Sequence, residues 1–511
     1  MTKLQQRGRF AVAAGLVLAA VAPGLRAGEL EIKAIDRDTG KPIAVRMHLK
    51  DERGRPVEAG KAPFWKDHFV FDGEMTLKLR PGRYTFEMER GPEYRVRSGY
   101  FTIDRTSKDV KVVDLPRFVN MAEEGWWSGD LHIRRSVEDI ELLMKAEDLH
   151  VAPVVTWWNE KNLWANRQPP ENPLVAWDKH HMYHVLAGQD ERAGGALLFF
   201  NLSQPLPVTD AQREFPSPVA YLRQARDQGV GAHVDIEKPF GWDVPVWLAS
   251  GMCHSMGVCH GHLWRDGVQS DEAQGKPRDT LLFPGVPGNA RWTQAIYFHA
   301  LNCGLRIPPT ASSASGVAPN PVGYNRVYVH CGEELTWDGW WSNLRAGRVI
   351  VTNGPLIRPL VNGQLPGHVF TVDEGQSLEL ETALSLSTRD KIEYLEIIQN
   401  GKVIESVRLD EYVKAGGRLP KVKFEESGWM LIRAVANHPK TYRFAMTGPY
   451  YVEVGYRPRI SRQSAQFFLD WAKERAARIQ LKDPEQQREV LRYHQAAIDF
   501  WTKRVAAANA E

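Results

Sequence analysis

Gly125-Trp126-Trp127-Ser128-Gly129-Asp130-Leu131-His132-Ile133-Arg134-Arg135 is the stretch whose reading decides the fold. Gly-Asp-Leu-His reads as the C-terminal end of a buried strand. Alternate strand residues share a face, so Asp130 and His132 point together into one cleft. A helix is expected next, with Ser136 as cap, Asp139 in its first turn, and Val137, Ile140, Leu143 and Met144 as its apolar stripe. A second strand, 151–156, then runs into Trp157-Trp158-Asn159. Strand, polar end, helix, strand is the repeating unit of an α/β barrel, which carries its chemistry at the C-terminal strand ends.

Working outward, strands and helices alternate from about residue 120 to 354, and the polar clusters fall repeatedly where a strand should end. They are Asp130/His132, Glu191, His233/Asp235/Glu237, His260/His262 and the serines of 312–315. Strands of unrelated role should not all finish this way, so a functional cleft is expected. Imidazoles and carboxylates on separate strand ends are also ligand types for a hydrolytic zinc or manganese ion with open positions for water. On either side the period drops to two. Leu30, Ile32 and Ala34 alternate before the segment, as do Tyr84, Phe86 and Met88; after it, Ile392 to Ile404 folds over Asn400-Gly401. Two helices are expected to close the chain, the second capped by Asp483 with Pro484 in its first position.

The first 27 residues read as a cleavable leader: Lys3, Arg7 and Arg9, then the apolar run from Phe10 to Ala22, then Leu25-Arg26-Ala27. That places the protein in the periplasm or outside the cell, with no membrane insertion after cleavage. The net charge is +3; the leader supplies four positive charges and no acids, so the remainder carries −1. The rest is close to neutral, which argues against nucleic acid or an anionic membrane as partner. Cys253, Cys259, Cys303 and Cys331 fit buried thiols or a single bridge equally. The 17 tryptophans include Trp126, Trp127, Trp157, Trp158 and Trp164 near the expected cleft. Their indoles either stack on a glycan or aromatic ligand or pack beneath long loops.

Gly129-Asp130-Leu131-His132 resembles the first metal motif of the polymerase-and-histidinol-phosphatase (PHP) superfamily, in its CehA/McbA-like metallohydrolase branch. Gly347-Arg348-Val349-Ile350-Val351-Thr352-Asn353-Gly354-Pro355-Leu356 is similar to that branch's closing motif. The resemblance, which spans roughly residues 126–356, implies a PHP-like distorted (β/α) barrel over 119–355. The period of two on either side is read as β-sandwiches at 28–118 (similar to transthyretin-like or carboxypeptidase-regulatory-like modules) and 356–456, and the two closing helices as a helical hairpin at 457–511, an α/β fold as a whole. The resemblance also implies ligands that this chain has replaced. Arg134 stands for the second histidine of His-x-His, Trp157-Trp158 for Asp-His, and Ser312-Ser313-Ala314-Ser315 for a late Asp or His.

Of the matching positions, His132, Glu191 and His233 remain as ligands for one divalent ion, zinc or manganese, with their tips expected within about 6 Å of one another. The expected activity is hydrolysis of an ester or phosphoester of a small molecule or glycan. Asp130 would orient His132, Asp235 or Glu237 would serve as base, ligand or partner of Lys238, and Arg134 would hold an oxyanion or pair with an acid. His260 and His262 either add ligands or brace a loop, and Trp157 and Trp158 are expected on the cleft rim. The alternative is a metal-free envelope protein binding a glycan or aromatic ligand.

Overall fold

A computed structural model describes residues 28–511; the expected leader lies outside the described residues. The chain is a mixed α/β molecule with several sheets. Near its N-terminus, Gly28–Asp36 pairs with Glu74–Leu79 and Lys108–Leu115. A second sheet contains Ala44–Lys50, His68–Asp72 and Gly82–Glu89. Leu30, Ile32, Met47, Phe69 and Met88 fill the space between the sheets, as the period of two requires. No helix among the described residues is long and apolar enough to cross a membrane.

In the central region the strands Val151–Trp158 and Met182–Arg192 run parallel, as do His233–Ile236, Ser255–Cys259 and Pro309–Ala311. Gly195–Phe200 runs antiparallel between the two sets. It follows Met182–Arg192 through a tight hairpin, and such a hairpin reverses the chain where a helix would have kept it parallel. The segment after Trp126–Gly129 threads between two strands: Ile133 bridges both Val154 and Ser315. The helix that follows begins as a short 3-10 turn over Val137–Asp139 and continues as Ile140–Glu147, and Ser136 makes no side-chain cap bond.

The C-terminal sheet is not separate from the central one. Val349–Thr352, inside the expected barrel, pairs with Phe444–Thr447 beyond it. Asn400 and Gly401 both take positive φ (49° and 85°), the backbone that a two-residue hairpin needs, and Gln399 pairs with Lys402 across it. The closing helices are Arg462–Arg478 and Pro484–Ala506; Ser461 and Asp483 accept backbone N–H bonds at their starts. Phe468, Trp471 and Trp501 are buried in the same core as the central strands, and the Trp501 indole donates to Pro245 O at 2.9 Å. All four cysteines are free.

Candidate functional site

Hydrogen bonds tie the polar ends of three central strands into one network. His132 Nδ1 lies 2.6 Å from Glu237 Oε1, and both residues are 1% exposed. Gln189 Nε2 donates to Glu237 Oε2 at 2.9 Å and to Glu191 Oε2 at 3.1 Å. The Lys238 ammonium closes the set by pairing with Glu191. Burial alone would raise the Glu237 carboxyl, but His132 and Lys238 override it and hold the group below the carboxylate range. Burial would likewise lower Lys238, but Glu191 and Glu237 outweigh it and keep the ammonium charged. His132 Nε2 is buried without a partner.

Asp130 acts on the backbone, not on the imidazole. Its oxygens accept N–H bonds from His132 (3.1 Å), Ser313 (2.9 Å) and Gly323 (2.8 Å), which fix the threaded segment. Burial pushes its carboxyl up against those three donors. The expected orientation of the His132 ring therefore comes from Glu237. His260 and His262 lie beside this network with their rings 5.1 Å apart, both packed on Phe240. His260 Nε2 meets Thr293 Oγ1 at 3.0 Å, and burial lowers its pKa to about 3.

His233 is not part of this group. Its strand is His233–Ile236, so the imidazole stands at the N-terminal end, four residues before Glu237. At about 3.3 Å per residue that separation, about 13 Å, spans the whole strand. Nε2 meets Ser255 Oγ at 2.7 Å, Nδ1 accepts from Arg345 Nε at 3.4 Å, and the ring packs on Trp341. Asp235 lies between the two ends and accepts from Ser255 Oγ and Thr310 Oγ1, both at 2.6 Å; burial pushes it up to about 6. Neither Asp235 nor His233 touches His132.

The two indoles separate as well. Neighbouring strand residues face opposite ways, so Trp157 turns into the core, fully buried against Phe199 and over Gly188. Trp158 stays half-buried, with the Arg134 guanidinium 4.5 Å above its ring. Of the two, only Trp158 keeps partial exposure, and Arg134 stacks on it without a carboxylate partner among the described residues.

His132, Glu191 and His233 do not fit a shared metal. Among the described residues, the groups whose ligand atoms all lie within 4.8 Å of one another are His48/Asp67/His68 and His48/Glu87/Glu89. Asp67 sits in the turn before His68–Asp72 and meets His48 Nδ1 at 3.1 Å and His68 Nδ1 at 3.0 Å. His48 Nε2 is buried and unpartnered. Two imidazoles and a carboxylate with positions left open are a donor set that could hold a divalent ion. No local motif announces this group. Met47 pairs with Phe69, which sets His48 opposite His68, so the signal appears only once the strand register is known.

No family model matches the chain, and no curated protein does. A solved structure described as the Bacillus anthracis TIE protein aligns over 22% of this chain and 20% of its own, at 22% identity and a TM-score of 0.15. The alignment spans about a fifth of that protein's length and carries no conclusion about fold or activity.

Proposed function

We propose that the protein is an exported, non-catalytic ligand-binding protein on a PHP-like scaffold whose metal centre has given way to an internal ion-pair network. One observation carries this reading: the Lys238 ammonium is bonded to Glu191 and sits close enough to Glu237 to hold its carboxyl down. A fixed positive charge among the carboxylates neutralises them as a cation would and repels a second one. The hydrolase alternative needs His233 at this corner, and His233 is committed to Ser255 and Arg345. In this reading the central strands form a distorted (β/α) barrel and the β-rich regions form its flanking sandwiches. The leader-like start supports export, with a mature N-terminus at Gly28.

The reading also moves the divalent ion to His48, Asp67 and His68, where a mixed nitrogen and oxygen set favours zinc over manganese. Elemental analysis after zinc reconstitution tests both parts. The expected result is one zinc per chain, lost in His68→Ala and kept in His132→Ala, with no hydrolysis of p-nitrophenyl phosphate or acetate. Turnover that His132→Ala abolishes would overturn the reading in favour of the hydrolase.

A further inference from the structure

A cleft of about 500 Å³ opens where the N-terminal, central and C-terminal sheets meet. Most charges in its walls neutralise one another. Arg46 pairs with Glu89 at 3.0 Å and Glu147 at 2.6 Å, Arg389 with Glu89 at 3.1 Å, and Arg443 with Asp390 at 2.8 Å. Arg326 forms no ion pair among the described residues, although the Glu147 carboxylate lies within its field. Arg326 is 1% exposed, its Nε and Nη2 donate only to the main-chain carbonyls of Gly323 (2.7 Å) and Glu147 (3.1 Å), and its Nη1 has no partner. Nη1 lies beneath Gly91, another cleft residue, where an added Cβ would stand 3.5 Å away. On the open side Arg95 rests over the Phe118 ring at 4.5 Å and forms no ion pair among the described residues.

A buried N–H donor left without an acceptor costs about 1–3 kcal/mol unless something else accepts its hydrogen bond. We propose that this cleft binds one small oxyanion-bearing molecule, a carboxylate, phosphate or sulfate of about monosaccharide size, through Arg326 and Arg95. The inference rests on the binding-protein reading and names its ligand class. The volume lies within the roughly 300–1,000 Å³ usual for small-molecule sites. Planar guanidinium forks match the oxygens of such groups. Asn353 and Gly354, from the closing motif that the central network leaves unused, form part of the wall.

Isothermal titration of the full chain at low salt with glucuronate, glucose, phosphate and sulfate tests this. The expected result is saturation at one site per chain by at least one charged probe and no heat from glucose. Arg95→Ala should weaken that probe tenfold or more without moving the unliganded Tm, and Arg326→Gln should abolish binding. Because Arg326→Gln risks misfolding, the exposed Arg95 variant decides the matter alone. The proposal is overturned if no charged probe saturates, if glucose binds as well as glucuronate, or if Arg95→Ala binds like the wild type. Saturation by a charged probe together with hydrolysis of p-nitrophenyl phosphate by the same protein would leave the cleft standing and remove the non-catalytic reading.

Discussion

Lys238 has a measurable consequence at the scale of one side chain. Replacing it with methionine strips Glu191 and Glu237 of their cation while keeping most of the packing volume. Removing one partner of a fully buried pair costs about 3–5 kcal/mol. Glu191 keeps partial access to water, so the expected loss is smaller, about 2–3 kcal/mol. Urea unfolding reads it directly, and an unchanged midpoint would show that the ammonium does not stabilise the network. His132 and Glu237 were legible in the sequence because alternation put each at a strand end. His233 was misplaced because the strand begins at His233 and ends at Ile236, a few residues later than a strand ending at His233 would. That small shift carries an imidazole from one end of the strand to the other.

Individual elements respond differently to changes that look alike in the sequence. Trp157 and Trp158 are neighbours, yet Trp157→Ala should cost about 3–5 kcal/mol by emptying the core, and Trp158→Ala under about 1 kcal/mol. Gly188→Ala should be nearly as damaging as the first, since its Cβ would come within 2.0 Å of the Trp157 indole. Thermal melts of the three variants check the order, and equal shifts for the two tryptophans would contradict the placement of their rings. The hairpin over Asn400-Gly401 and the two closing helices were readable because turn and cap chemistry is local. The strand Gly195–Phe200 was readable as a buried run but its antiparallel direction was not, because an unbroken apolar run records burial and no direction.

For the molecule as a whole, buried titratable groups set the response to pH. Burial lowers His150 and His260 to about 3 and His184, His254 and His299 to about 4. Their folded pKa values lie below the unfolded one, so their contribution is complete above about pH 6.5 and is lost as pH falls, by up to about 1.4 kcal/mol per unit per group. Burial raises Glu93 and Glu147 to about 7 and Asp235 to about 6, and their contribution is lost as pH rises through those values. The histidines are more numerous, so the Tm should climb from pH 4.5 to about 6.5 and flatten near 7. Calorimetry across that range checks the sign, and a Tm highest at pH 5 would refute it.

The strand pairing between Val349–Thr352 and Phe444–Thr447 bears on heredity as well as stability. Recombination can exchange a module only where the cut severs few bonds, and a cut near residue 355 would tear a hydrogen-bonded sheet. The central and C-terminal regions are therefore expected to be inherited as one piece, and a chain cut near residue 355 should not yield two halves that fold alone. The N-terminal sheets keep a core of their own and meet the rest partly through ion pairs such as Arg90 and Arg117 with Asp148. Ala44 and Val70 also share a buried cluster with Ile140 and Met144, so exchanging these sheets would expose that apolar face.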